Sequence, residues 1–109
     1  MKHLLIVGLF AAVTLSAAPP PQTFTGTITD SMCANADHSQ MQMGPTDAEC
    51  TQACIGIHGA SYVLYDGKTT YALSDQKTPE KFAGKKVRLT GVLDGKTNKI
   101  QVESIAAAK

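Results

Sequence analysis

The sequence predicts a mainly β protein with five strands, a helical insertion and one further short helix. Three observations lead to this prediction. A segment near the N-terminus alternates apolar and β-branched polar residues with a period of two, as in a half-buried strand. Two later regions each consist of a pair of such segments joined by a turn. Two other stretches begin with capping residues and end at glycine, as helices do.

The first strand is predicted in the segment TFTGTITD. Phe24, Gly26 and Ile28 fall on one face, and threonines occupy the alternate positions, which suits a pleated, half-buried strand. We expect Phe24 and Ile28 to be buried and the threonine face to be mostly exposed. Gly26 inside the strand predicts a bend or a bulge.

The first hairpin is predicted in SYVLYDGKTTYAL, where Asp66-Gly67 is a turn signal. The second is predicted in KKVRLTGVLDGKTNKIQVESI. Its two segments alternate, so one face of each should join Phe24 and Ile28 in the core. The expected core residues of this hairpin are Val87, Leu89, Ile100 and Val102.

A helix is predicted from Asp47 to Ile57 or His58. Thr46 and Glu49 have the spacing of a capping box at its start, and Gly59 is a plausible stop.

A second, short helix is predicted in KTPEKFAGK, with Thr78 as its cap, Pro79 at its first position and Gly84 at its end. The order is then strand, helical insertion, hairpin, short helix, hairpin. This order matches a small OB-like Greek-key barrel with the insertion between strands 1 and 2 and the short helix between strands 3 and 4. An open antiparallel α+β sheet is the alternative. The single OB-like domain spans 23–106, and the insertion spans 30–59.

The first 18 residues have the pattern of a secretory signal peptide. Lys2 supplies a basic start, an apolar run follows, and small residues end the segment at 16–18. A Pro-rich spacer occupies 19–22. We expect a periplasmic or secreted protein with no membrane contact after cleavage, because the apolar run is short for a membrane span. A retained N-terminal anchor is the alternative.

Charge and size exclude several classes of function. Cleavage removes Lys2, so nine of the ten basic residues remain against nine acidic ones and the mature chain is neutral. A neutral chain with one arginine, Arg88, lacks the basic surface that nucleic-acid binding requires. A small monomer is expected. No catalytic constellation is predicted, since the sequence has no nucleophile elbow and no Gly-rich phosphate loop before a helix.

Almost all the soft ligands lie between Asp30 and Gly59, which contains all three cysteines. Cys50 and Cys54 lie four residues apart on the predicted helix, with Cβ atoms about 5–6 Å apart. A disulfide needs Cβ atoms at about 3.5–4.5 Å, so these two should not bridge each other. Two thiolates on one metal ion would lie roughly 3.8 Å apart, which this spacing can reach. With Cys33 and His38 they make a Cys3His set, a composition of structural zinc sites.

The motif Gly-x-x-x-Asp-Ser-x-Cys runs from Gly26 to Cys33, and a nearby histidine, a Cys-x3-Cys pair, a Gly-Ala pair and an OB-like tail follow. With this pattern the chain resembles a group of small exported bacterial proteins. The resemblance covers almost the whole mature chain and implies the export and the fold. It implies no reaction, because the group has no established activity.

Two other roles remain open for the cysteines. In an oxidising compartment Cys33 would bridge to Cys50 or Cys54, giving a disulfide-stapled β-barrel that binds another protein or a small ligand without metal. One thiol would then be left over. A thiol-redox protein is the third alternative, although the chain has no Cys-x-x-Cys motif.

Zinc and copper are the metals expected. Met32, Met41 and Met43 lie near the predicted ligands, and thioethers favour Cu(I), although the same residues would also serve as flexible packing. His58 is either a further ligand or a residue that interacts favourably with the C-terminus of the helix.

Overall fold

The computed structural model describes residues 19–37, 39 and 44–108. The predicted signal peptide, His38, Met41 and Met43 lie outside this part of the chain. The described residues form five strands: β1 (Gln22–Asp30), β2 (Tyr62–Tyr65), β3 (Thr70–Leu73), β4 (Lys86–Asp94) and β5 (Lys99–Ala107). They also form one α-helix, α1 (Asp47–His58), a first 3₁₀ helix (Ser31–Cys33) and a second 3₁₀ helix (Thr78–Phe82).

The strands pair in the order β1-β2-β3-β5-β4, and β4 pairs with β1 again. We call this closed series of hydrogen-bonded neighbours the strand ring. Four of its pairs are antiparallel, and β3 with β5 is parallel over Ala72–Lys99 and Leu73–Ile100. The mainly β fold, the five strands and both hairpins are confirmed. The alternative prediction, an open antiparallel sheet, does not agree with the structure, because β4 pairs again with β1 and β3 pairs with β5 in parallel.

β1 changes partner along its length. It pairs with β4 from Gln22 to Thr27 and with β2 from Thr27 to Asp30. Gly26 lies where this change begins, and a Cβ there would clash with the backbone carbonyl of Tyr65. The predicted bend at this glycine therefore corresponds to a close approach of two backbones.

The core lies on the inner face of the strand ring. Ile28, Leu64, Val87, Leu89 and Ile100 are fully buried there in one cluster. Phe24 and Val102 are half-buried and pack against this cluster, so the predicted register is confirmed.

Thr29 departs from the predicted exposed threonine face, because it is completely buried. Thr23 and Thr25 are exposed as expected. The end of β1 is covered by the chain that follows it, and the Thr29 hydroxyl donates a hydrogen bond to the Cys33 carbonyl at 3.0 Å. The alternation of buried and exposed residues along β1 therefore ends where the insertion folds over the strand.

The predicted bounds of the first helix agree with the structure. The Thr46 hydroxyl accepts a hydrogen bond from the Glu49 amide at 3.2 Å, as a capping box requires. Gly59 ends α1 with φ of 68°.

The second short helix is a 3₁₀ helix with Pro79 in its first turn, and Gly84 follows it with φ of 73°. The prediction of Thr78 as its cap is wrong: Thr78 is the first helical residue, Lys77 is at the cap, and the Thr78 amide donates to the Asp75 side chain at 3.0 Å. None of the described helices has the length and apolar character of a membrane span.

Candidate functional site

The insertion begins at a buried carboxylate. Asp30 is the last residue of β1 and is completely buried. One of its oxygens, Oδ2, accepts hydrogen bonds from the amides of Met32 at 3.1 Å and Cys33 at 3.0 Å. These bonds cap the first 3₁₀ helix and fix Cys33 directly beyond the strand.

Hydrogen bonds also tie the start of the insertion to the strands that follow it. The Ser31 amide donates to the Ser61 carbonyl at 2.8 Å, and the Ser61 amide donates to Ser31 Oγ at 3.0 Å. The Thr70 hydroxyl donates to the Ala34 carbonyl at 2.8 Å. The backbone around Cys33 is therefore held from β2 and β3 as well as from β1.

α1 packs against β1 and brings two cysteines to the same place. Cys50 and Cys54 are buried, with 2% and 0% of their surface exposed, and Thr51 beside them is buried too. Ile57, by contrast, is 69% exposed. The buried side of this helix is thus built from small and sulfur-containing side chains.

All three cysteines are buried in the same region as Asp30. Cys54 is hydrogen-bonded to the Asp30 carboxylate, and ionisation of Cys33 or Cys50 would raise the pKa of Cys54 further. All three are buried and none forms a disulfide. We call Asp30, Cys33, Cys50 and Cys54 together the thiol cluster.

Burial and like charge both oppose ionisation in the thiol cluster. Burial raises the pKa of Cys33, and the charges of Asp30, Cys50 and Asp37 raise it further. Burial is also the largest reason that the pKa of Cys54 is raised to about 11, followed by the charge of Asp30 and the hydrogen bond to it. Both thiols are therefore protonated at neutral pH in the metal-free protein.

Cys50 differs from its neighbours because it borders an open cavity. Its Sγ–H donates a hydrogen bond to the Gly44 carbonyl at 3.1 Å. Both residues line a cavity of about 280 Å³, whose wall also includes Asp37, Thr46 and Asp47. The cavity leads from the surface to this one cysteine, whereas Cys33 and Cys54 do not line it.

Of the four predicted ligands, the structure describes Cys33, Cys50 and Cys54, and all three are buried. His38, the fourth, lies outside the described residues. Within those residues, no group of three or more Cys, His, Asp or Glu side chains is arranged to hold a metal ion. Met32 is 45% exposed, and His58 is an exposed residue in the last turn of α1, as the helix-terminal interpretation predicts.

Sequence reasoning placed Asp30 at the end of the first predicted strand, and this is confirmed. It missed the burial of this carboxylate against Cys54. The sequence signal was an acidic residue three positions before a cysteine at the end of a strand, a spacing that turn capping alone explains.

No protein-family model, no curated protein and no solved structure matches this chain. The basis for a function is therefore the chemistry of the thiol cluster.

Proposed function

We propose that this is an exported metal-binding protein whose ligands are Cys33, His38, Cys50 and Cys54. The metal is zinc held structurally or copper being carried. One observation supports this proposal above the others: three buried cysteines that form no disulfide belong to the same insertion as a buried carboxylate, Asp30.

The electrostatics of the thiol cluster favour a cation. Asp30, Cys33 and Cys50 each raise the pKa of Cys54 through their negative charges, so ionised thiols repel one another in this buried place. A bound cation reverses that balance, because thiols that coordinate a metal are deprotonated. The free energy of binding would then draw the sulfurs and His38 into a closed site, because metal binding is coupled to folding.

Two elements of the insertion and the loop between them supply the proposed ligands. α1 supplies two thiols from one face at a spacing that one ion can span. The first 3₁₀ helix supplies the third from the end of β1. His38 lies five residues beyond Cys33 in the same insertion. A Cys3His set suits structural zinc, and recruitment of Met32, Met41 or Met43 would favour Cu(I).

The raised pKa values of the buried thiols argue against a thiol-redox function. Reactive cysteines have lowered pKa values, in electropositive and partly exposed surroundings. The pKa values of Cys33 and Cys54 are raised, and the nearest charge is a carboxylate. A disulfide staple through Cys33 is the outcome that competes with metal binding, and counting free thiols in protein purified without reductant distinguishes the two.

The fold and the export belong to the same proposal. The pairing order and the helix between β1 and β2 support an OB-like Greek-key barrel that carries its ligands in one insertion. The N-terminal sequence supports export to the periplasm or beyond the cell, where a small domain gains most from a metal or a staple. We further propose a monomer that binds neither nucleic acid nor membrane once its signal peptide is removed.

Metal titration tests the proposal. The reduced, metal-free protein is titrated with Zn²⁺ and with Cu⁺ against a competing chelator, for wild type and for Cys33→Ser, Cys50→Ser, Cys54→Ser and His38→Ala. Each substitution should lower the affinity by more than about tenfold, because a closed tetrahedral site needs all four ligands. His58→Ala is the matched control and should leave the affinity unchanged. A wild-type protein that binds neither metal, or an unaltered affinity in His38→Ala, would refute the Cys3His site.

A further inference from the structure

A second cavity, of about 470 Å³, lies on the outer face of the strand ring, where β1 changes partner. We call it the outer groove. Its walls include Thr25 and Thr27 of β1, Lys86 of β4, and Tyr65 and Asp66 at the end of β2. The volume falls within the range of small-molecule sites, about 300–1,000 Å³. The outer groove is separate from the thiol cluster, whose four residues do not line it.

The side chains around the outer groove are mostly polar. In the register of β1 with β4, Thr27 lies opposite Lys86. The neighbouring pair on the same face is Thr25 with Arg88. Side chains paired in this way share one face of the sheet, with Cβ atoms about 4.5–5.5 Å apart. Among the described residues that line the groove, Ala36 carries the only aliphatic side chain, so the groove suits a polar ligand.

The charge available to a ligand in the outer groove is positive. Lys86 and Arg88 are both exposed, and neither forms an ion pair with a described residue. Asp66 is also in the wall, but the amides of Lys68 and Thr69 donate to its Oδ1 at 2.8 and 2.7 Å. The turn thus already stabilises this carboxylate, whereas the ammonium group of Lys86 remains available to an anion.

The backbone of β1 adds a donor and an acceptor to the groove. The Ile28 amide donates to the Lys85 carbonyl, so every second residue of β1 directs its backbone groups toward β4. The residues between them face the opposite edge. β2 pairs with β1 only from Thr27 onward, so the amide and the carbonyl of Thr25 lie at an edge that no described strand covers. An anionic oxygen can accept from this amide, and a hydroxyl can donate to this carbonyl.

We propose that the outer groove binds a small hydroxylated organic anion, namely a sugar that carries a carboxylate or a phosphate. Lys86 binds the anionic group, and Arg88 adds positive charge beside it on the same face. The hydroxyls of Thr25 and Thr27, which can both donate and accept, bind the hydroxyls of the ligand. This proposal goes beyond metal binding and does not depend on it.

Amide chemical shifts measured by NMR test the proposal on the purified protein. The isotope-labelled protein is titrated at low ionic strength with glucuronate, with glucose 6-phosphate and with glucose. At least one of the two anions should give saturable shifts at Thr25, Thr27 and Lys86, with a Kd at or below about 10 mM. The anion that binds more tightly identifies the ligand as a carboxylate or a phosphate.

Glucose should bind at least about fivefold more weakly than that anion, because it lacks the group that pairs with Lys86. No saturable shift with either anion would overturn the proposal. Shifts that map away from the outer groove, or equal affinity for glucose, would overturn it as well.

Two lysines that are adjacent in the sequence provide matched variants. Lys86→Gln removes the cation of the groove and should weaken binding of the anion about fivefold or more. Lys85→Gln removes the same charge from an exposed residue that does not line the groove, so the affinity should change by less than about twofold. Equal losses in the two variants would show that only net charge matters, against the proposal. The amide spectrum shows whether each variant is folded, and the wild-type shifts decide the question if one is not.

Neither substitution changes a proposed metal ligand, so failure here leaves the metal titration unaffected.

Discussion

At the scale of single residues, Asp30 has the greatest influence on the candidate site. Its buried carboxylate holds the first turn of the insertion and contacts the sulfur of Cys54. A buried acceptor that serves several donors costs more to remove than an exposed one, because its partners are left without a hydrogen bond.

Asp30→Ala should therefore lower the free energy of unfolding by about 1–3 kcal/mol. The amides of Met32 and Cys33 would lose their acceptor in a place that water does not reach freely. Urea unfolding of the reduced protein measures the change. Asp94→Ala is the control, because Asp94 accepts one bond, from the Lys96 amide, in an exposed turn. Equal effects of the two substitutions would show that burial of the Asp30 carboxylate does not increase its contribution to the free energy of unfolding.

Leu89 belongs to the apolar core on the inner face of the strand ring. It is fully buried, so Leu89→Ala should cost about 2–4 kcal/mol through lost burial and a residual cavity. Ile57→Ala removes a similar apolar side chain that is 69% exposed and should change stability by no more than about 0.5 kcal/mol. For both variants, the change in stability is obtained from the urea midpoint, provided that the slope of the unfolding transition is the same as in wild type. A Leu89→Ala protein as stable as wild type would contradict the placement of the core.

At the scale of elements, local signals predicted most of the structure. Thr46, Glu49 and Gly59 fixed both ends of α1 because capping depends only on neighbouring residues. The alternation around Phe24 and Ile28 gave the register of β1 for the same reason. The burial of Thr29 could not be predicted, since it depends on how the insertion folds over the strand.

Gly56 lies within α1 at a position where the structure does not require glycine. Gly56 is exposed, and a Cβ there would meet nothing within 4 Å. Gly56→Ala should therefore raise the free energy of unfolding by about 0.5–1 kcal/mol, because alanine loses less entropy in a helix. Gly59→Ala is the contrasting variant: φ of 68° strains any residue with a Cβ, so stability should fall by about 1 kcal/mol. Thermal unfolding that ranks the two variants in the opposite order would contradict these helix bounds.

The turn between β2 and β3 gives a prediction about pH. Hydrogen bonds from the Thr69 and Lys68 amides lower the pKa of Asp66 below its ordinary value of 3.8, and Tyr71 contributes further. A lowered pKa means that the native state favours the ionised form. The stabilisation is therefore present above the ordinary pKa and is lost as pH falls through the lower native value.

Asp66→Asn should accordingly be less stable than wild type near neutral pH, with a difference that shrinks as the pH falls below about 4. Urea unfolding at a series of pH values measures this difference. Asp94→Asn, in the other hairpin, controls for the general effect of removing a surface carboxylate. A difference that grows in acid would show that the native pKa of Asp66 is raised instead.

At the scale of the whole molecule, the strand ring is a scaffold that positions one insertion. Sequence periodicity predicted the strands and the hairpins, but the parallel pairing of β3 with β5 and the return of β4 to β1 are long-range contacts that no local pattern specifies. A place for Cys33 near Cys50 and Cys54 was expected from the chemistry they share. The cavity beside Cys50 was not, because it depends on how Gly44 and Thr46 approach the helix.

Intact mass with thiol counting, on protein purified without chelator or added reductant, tests the metal proposal most directly. Native and denatured masses are compared, and free thiols are counted after chelation and denaturation. We predict one metal ion per chain in the native mass and three free thiols afterwards. A mass lower by two hydrogens, with one free thiol and no metal, would contradict the proposal and show that the insertion is closed by a disulfide instead.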